Sequence, residues 1–481
     1  MASEQHGIAF ARTSSGERST TAAGRAIVAA ALGAVDPVGA RAAAGDTNWR
    51  TGYLLHYRRL VEAGIDSRDD WVAIARAGLD EAYRNLVVAG AEGDLPLDSL
   101  ATAAPARTLD TVTVTGARKP ETELSLPYRG DRLSGEALRA QLAAWENTGI
   151  VEPSVTAAIG EVMEHPEWLA LPGRTVAVLG AGAEMGPLTA LLRWGATVAG
   201  VDLPRPDIWK RVREIAEQSA GTLLVPVTGE SVGADLLAEV PEVADWLVGL
   251  PGRLAVGTYL YADGGTHARL SIAADLLGRR VLAERPDTTL AFLATPTDVF
   301  AVPGAAVDAA NAAYAARSGL AKTAGRALRW TSRGRLLHRA YPPGSADPGI
   351  CDSLVPIQGP NYALAKRLQR WRAATALADG VDVSFHVAPS TRTRSVVKNR
   401  ALAAAYAGAH RFGVEVFEPG TSNTLMAALL VHDLMGGRPA FDHPWHDEAY
   451  AAVHGGLWRV AYEPRSALGL AAIMGYAGAG G

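Results

Sequence analysis

One stretch constrains the fold more than any other. From Arg174 the chain reads Thr175-Val-Ala-Val-Leu179, then Gly180-Ala-Gly182-Ala-Glu-Met-Gly186, then a helical run to Trp194, then Thr197-Val-Ala-Gly-Val201 ending in Asp202. Short apolar, β-branched runs bounded by glycine predict strands, and the glycine-rich break lets the backbone turn tightly into a helix. The stretch therefore predicts a β-α-β unit whose turn offers backbone N–H groups to a pyrophosphate at a helix start. Gly180, Gly182 and Gly186 become candidate cofactor-binding positions. Asp202, about twenty residues on, is placed to accept hydrogen bonds from a ribose diol.

A chain of 481 residues suggests two or three domains. Its 48% hydrophobic and 20% charged residues are an ordinary globular mixture, and a net charge of -4 gives no whole-chain drive toward nucleic acid. The single cysteine, Cys351, rules out an intramolecular disulfide and thiolate-rich metal sites, which suits a reducing, cytoplasmic setting. Residues 1–45 are rich in Ala, Gly, Ser and Thr and read as a flexible tail. The apolar run 26–35 is too short to span a bilayer; Arg12, Arg18 and Arg25 ahead of it imitate an export signal, which Glu4, Glu17 and Asp36 weaken.

Residues 46–170 read as a mostly helical accessory domain. Tyr53, Leu54, Tyr57, Leu60 and Val61, then Trp71, Ile74, Leu79 and Tyr83, recur at helical spacing and predict an α-hairpin. Strands are expected at 109–115 and 122–126 from their alternation, and helices at 135–147 and 153–165. Trp49, Trp71 and Trp145 are expected in the core.

Residues 171–481 form the expected Rossmann-type doubly wound α/β domain. Further strands are predicted at 222–227, 253–259 and 288–293, with helices around 235–247 and 267–284. The next landmarks are Thr295-Pro-Thr297, then Asn361-Tyr362-Ala-Leu-Ala-Lys366 opening a helix, then a strand running into Pro389-Ser-Thr-Arg-Thr393. Tyr and Lys at i and i+4 share one helix face, close enough for the ammonium to bias the phenol. Together these motifs resemble the short-chain dehydrogenase/reductase family over roughly 174–433. The resemblance implies an NAD(P)-dependent oxidoreductase interconverting a hydroxyl and a carbonyl. In it Tyr362 carries the proton, Lys366 lowers the phenol pKa and holds the nicotinamide ribose, and Thr297, or Thr295, orients the substrate oxygen. Ala262, Pro389 and Thr393 would line the cofactor. Asp202 favours NAD, with NADP the alternative because Arg205 lies close by.

This chain departs from the family pattern. Glu184 stands where a loop glycine is usual and opposes a pyrophosphate. Residues Tyr261-Ala262-Asp263-Gly264 replace the usual Asn-Ala-Gly. An insertion, 303–359, carries Arg317, Lys322, Arg326, Arg329, Arg333, Arg335, His338 and Arg339. It reads as a lid gripping the anionic tail of a small-molecule substrate, as a membrane-surface helix, or as a solvated basic face. Asp442, His443, His446, Asp447 and His454 have metal-like residue types, but Pro444 and the loop setting predict a turn and no metal. A homo-oligomer without an integral membrane segment is expected. Two other readings remain: a non-redox or regulatory relative on the same fold, suggested by Glu184, and an S-adenosylmethionine-dependent methyltransferase, opposed by Val178 where an acidic residue is wanted.

Overall fold

The computed structural model describes residues 7–342, 344 and 347–478. Its first elements are β1 (Gly7–Phe10), α1 (Thr20–Gly33), α2 (Pro37–Ala44), α3 (Trp49–Gly64), α4 (Arg68–Asn85), β2 (Leu86–Ala89) and β3 (Leu95–Pro96). The flexible tail expected over 1–45 is therefore corrected for residues 7–45; residues 1–6 lie outside the described residues. Ser19 caps α1 by accepting the Ala22 N–H, and Ile27, Val28, Ala31 and Leu32 lie on one helical face and are fully buried. The stripe is hidden in the composition because alanine and glycine fill much of the rest of the helix. β1 pairs with β2, and the Ile8 N–H donates to the Leu237 carbonyl at 2.8 Å while Arg269 Nε donates to the Ile8 carbonyl.

Next come β4 (Asp110–Thr115), the hairpin β5 (Leu126–Tyr128) and β6 (Asp131–Leu133), α5 (Gly135–Asn147) and α6 (Pro153–Glu164). The strand expected at 122–126 is displaced, because the hairpin register is set by the turn at Arg129 and Gly130, both with positive φ (49° and 91°). The central run follows: β7 (Arg174–Leu179), α7 (Leu188–Arg193), β8 (Thr197–Val201), α8 (Pro206–Glu217), β9 (Thr222–Thr228), β10 (Ser231–Val232), α9 (Val240–Val248), β11 (Arg253–Thr258), α10 (Gly265–Glu284) and β12 (Thr289–Ala294). The chain ends with β13 (Val299–Val302), α11 (Gly304–Ala315), α12 (Gly319–Thr331), β14 (Gly349–Asp352), α13 (Pro360–Ala378), β15 (Val383–Val387), α14 (Arg394–Lys398), α15 (Arg400–Gly408), α16 (Pro419–Met435), α17 (Pro444–Ala449) and α18 (Pro464–Gly478).

The main sheet has the order β10-β9-β8-β7-β11-β12-β15, with β4 antiparallel on β9. From β9 to β15 the strands are parallel and follow the 3-2-1-4-5-6 order of a dinucleotide-binding sheet. Side chains alternate between two cores. Ala177, Leu179, Val256 and Phe292 face one side with α1, α3, α4, α10 and α13; Val176, Val178, Ala255 and Leu293 face the other with α6, α7 and α16.

A separate accessory domain over 46–170 is not what forms. Trp49, Tyr53 and Trp71 are buried in the same core as the sheet, and β4 extends that sheet. Trp145 is buried in the other core. The insertion 303–359 is likewise anchored: β13 and β14 pair antiparallel, and Ala306, Val307, Tyr341 and Cys351 are buried in the main core. Its α12 rests on Tyr462 and Leu337, part of a small satellite core with Ala461 and Ala467. The turn expected at 442–447 contains α17, started by Pro444. Among the described residues no helix is long and apolar enough to cross a membrane.

Candidate functional site

The site is assembled at the carboxyl ends of β7, β8, β11, β12 and β15, where ligands sit in sheets of this order. At the end of β7, Gly180 has φ +91°, and a Cβ there would lie 3.1 Å from the Tyr259 backbone, so glycine is required. Asp202 ends β8 as expected. Its carboxylate accepts the Gly182 N–H at 2.8 Å and the Leu203 N–H at 2.8 Å, which holds the glycine loop against β8. Each oxygen keeps a lone pair for a further donor.

The rest of this loop differs from the expectation. α7 starts at Leu188, after Pro187, and has only 6 residues, so no helix start lies at Gly182–Gly186. The N–H groups of Gly180, Ala181, Gly182, Ala183 and Gly186 are all committed: to Val201, Val201, Asp202, Gly180 and Ala183. A nest of open donors for a pyrophosphate is therefore absent from these five positions. The Glu184 carboxylate turns away from the loop, accepting the Arg394 N–H at 2.9 Å and Arg394 Nε at 2.8 Å. Its charge is thus met by a cation from the segment after β15. Arg205, expected to bear on cofactor choice, pairs with Asp207 at 2.8 Å.

At the end of β12, Thr295 and Thr297 are buried with their hydroxyls 2.9 Å apart, and Gln358 Nε2 donates to Thr297 Oγ1 at 2.6 Å. Pro360 opens α13 and Tyr362 follows in its first turn. Burial pushes the Tyr362 phenol above its ordinary range, and the Thr295 side chain beside it acts the other way. Of the two threonines, Thr295 is thus the one next to Tyr362, not the favoured Thr297. Lys366 Nζ donates to the Leu293 carbonyl at 3.1 Å and to Gln369 Oε1 at 3.2 Å, and burial brings its pKa down to about 8. The expectation that Lys366 depresses the Tyr362 pKa is corrected: the ammonium is drawn toward the β12 backbone, and desolvation dominates the phenol.

Two neighbours of Tyr362, His267 and Tyr406, carry no motif in the sequence. His267, in the first turn of α10, is fully buried with its ring centroid 5.4 Å from Tyr362 and 5.5 Å from Tyr261. Burial, aided by the Lys366 charge, takes its pKa down to about 3 against the opposing effect of the Leu260 backbone, so it is neutral at ordinary pH. Tyr406 of α15 raises the Tyr362 pKa further and sits beside Ser390. A histidine soon after the fourth parallel strand was a usable sequence signal; Tyr406 carried none, since only the packing of α15 brings it in.

The remaining expected positions fall around this cluster. Ala262 lies between β11 and α10, next to Tyr261. Pro389 is buried after β15, its carbonyl accepting Thr391 Oγ1 at 2.9 Å, and Thr393 Oγ1 lies 2.9 Å from Ser395 Oγ just before α14. Behind the threonines, buried Asp298 accepts Arg367 and Arg370 side chains at 2.6 Å each, and Arg370 also reaches Glu448. This clamp fixes the turn after β12 against α13, and with it the spacing of Thr295 and Tyr362. An open cleft of about 480 Å³ occurs instead among the amino ends of the strands, lined by Arg174, Arg253, Asp382 and Arg438. The hydroxyl cluster has the chemistry, and it lies at the opposite end.

No family model matches the chain and no curated protein matches it. Solved structures with some likeness include A-type ketoreductases from a modular polyketide synthase, at TM-score 0.32 and 16% identity over 62% of this chain and 50% of that one. The terminal R domain of the myxalamid PKS-NRPS pathway gives 0.30 and 15%, over 53% of this chain and 61% of that one. The aureusimine cluster reductase domain gives 0.28 and 10%, over 61% and 71%. The chain thus spans about half the length of the first of these. Likenesses this loose define neither a family nor an activity.

Proposed function

We propose that the chain is an NAD(P)-dependent oxidoreductase interconverting a carbonyl and a hydroxyl, with Tyr362 as the proton-transferring residue. The observation that carries this reading is the meeting of Tyr362 with Thr295 at the carboxyl ends of β12 and its neighbours, one helical turn from Lys366. A nicotinamide dinucleotide would supply or accept the hydride. Asp202 fits its adenosine ribose; Arg394, with Glu184 displaced, is the charge available to its diphosphate.

The raised Tyr362 pKa favours the reductive direction. A phenol held protonated donates to a carbonyl oxygen as negative charge develops there, whereas oxidation needs the phenolate first. Thr295 is placed to hydrogen-bond the same oxygen, and the Thr297 hydroxyl, itself held by the Gln358 amide, keeps it in position. Neutral His267 adds a donor that charges none of the site.

The test is Tyr362→Phe, followed by reduced-nicotinamide absorbance over a panel of ketones and secondary alcohols. Turnover should fall by about 10²–10⁴-fold with NADH or NADPH binding retained. A variant that turns over like wild type would reject the mechanism. The five committed N–H groups of the glycine loop favour a second reading, a non-redox relative; wild-type protein that binds neither NADH nor NADPH would establish it over the first.

A further inference from the structure

Residues 309–346 contain no Asp or Glu but seven cations: Arg317, Lys322, Arg326, Arg329, Arg333, Arg335 and Arg339. In a chain of net charge -4 this is a marked local excess. Among the described residues none of the seven makes an ion pair with a carboxylate, although ion pairs are frequent elsewhere in the fold. Some instead use the protein's own rings and carbonyls. Arg317 lies 4.7 Å over Tyr462, Arg339 lies 4.9 Å over Tyr314, Arg329 donates to the Tyr314 hydroxyl and Lys322 to the Ala315 carbonyl. Arg326, Arg333 and Arg335 are exposed, and none of them makes a side-chain hydrogen bond or ion pair among the described residues.

Helix α12 is mounted the unusual way round. Its inward side carries Gly325, seated close to Tyr462 and Leu337, between half-buried Lys322 and Arg329. Its outward stripe Thr323, Ala327, Trp330 and Thr331 is exposed and uncharged, with exposed Arg326 along one edge, and Trp330 is 83% exposed. A helix of a water-soluble surface normally turns its charges outward. Here an uncharged stripe centred on Trp330 faces out and the exposed arginines stand around its rim.

We propose that α12 and the turn after it form a peripheral docking surface for membranes rich in anionic lipid. Trp330 enters the boundary between headgroups and acyl chains, where an indole finds both apolar contact and a hydrogen-bond acceptor, and Arg326, Arg333 and Arg335 meet the lipid phosphates. The uncharged centre selects lipid over nucleic acid, whose phosphates would call for cations at the middle of the contact. This inference is independent of the reaction assigned to Tyr362.

The experiment is sedimentation of the full chain with vesicles of phosphatidylcholine alone or mixed with phosphatidylglycerol. Binding is expected only to the mixed vesicles and is expected to weaken at high salt. Replacing Arg326, Arg333 and Arg335 together with Glu should lower the affinity by at least roughly a hundredfold. Trp330→Ala should lower it by about tenfold while Trp330→Phe retains most of it. Both sets lie on exposed side chains, and unchanged thermal melting curves would show that the fold is intact. Equal binding to both vesicle types, binding to neither, or insensitivity to both sets of substitutions would overturn the proposal. So would finding that the same residues drive self-association or RNA binding without vesicles.

Discussion

Helix α13 carries neighbouring cations that are treated differently. Arg367 and Arg370 share two carboxylates, Asp298 and Glu448, with the Val299 carbonyl as a further acceptor. The Lys366 ammonium, one turn before Arg370, has only a backbone carbonyl and a glutamine amide. A buried charge that is fully paired holds a fold together; one that is left short of partners weakens the fold and is retained where a ligand completes it. The contrast, within a few residues of one helix, separates scaffold from site.

The contrast can be broken most directly on its paired side. Arg370→Ala leaves Asp298 and Glu448 buried and short of a counter-charge, which should cost about 3–5 kcal/mol in urea unfolding. A loss below about 1 kcal/mol would show that the pairing is not what stabilises this region. Lys366→Met should do the opposite, raising stability by up to about 3 kcal/mol near neutral pH while abolishing activity, because it removes an ammonium whose pKa burial has brought from 10.5 to about 8. The sign of its pH dependence follows from that direction. Between about 8 and 10.5 the unfolded chain binds more protons than the folded one, so wild type gains stability as pH rises and the difference from Lys366→Met should close across that window. A difference that stays constant or widens would mean that Lys366 is not held in a desolvated place.

The smallest effect concerns an exposed pair. Arg394 is exposed and Glu184 only half-buried, so their bond contributes little to stability. Glu184→Gln should leave melting unchanged but tighten NADH and inorganic pyrophosphate several-fold, as measured by calorimetry, by freeing Arg394 for the phosphates. Weaker binding of both would instead make Glu184 a brace for the loop.

Much of the parallel sheet was legible because its strands are buried on both faces and separated by glycine, so β7, β8, β9, β11 and β12 stand out as uninterrupted apolar runs. The amino-terminal elements were misread for the converse reason. α1 covers the core with alanines as well as Ile27 and Val28, and a count of small residues cannot distinguish that from a tail. At the site, the motif residues Tyr362, Lys366, Thr295 and Asp202 were found by spacing along the chain. Which of them touch was not, because that depends on side-chain direction: Lys366 and Tyr362 lie one turn apart, yet the ammonium goes to Leu293. The loop after β7 shows the same limit, since its glycines were visible while the bonds that consume its N–H groups required the neighbouring strand. Tyr406 and Arg394 arrive from beyond β15, and only the closed fold brings them in.

The position of β1 bears on how the chain is made. Residues 7–10 are tied to Leu237 and to Arg269, the latter across a sequence separation of 261 residues. Such a contact is strongly non-local, and closing it late slows assembly. During synthesis at about 5–20 residues per second, the first strand would emerge and then wait roughly 10–50 s for its acceptors to follow. Throughout that interval the apolar stripe of α1 has no sheet-face partner to pack on, which makes the nascent amino-terminal third a natural client for chaperones and the region where misassembly would begin.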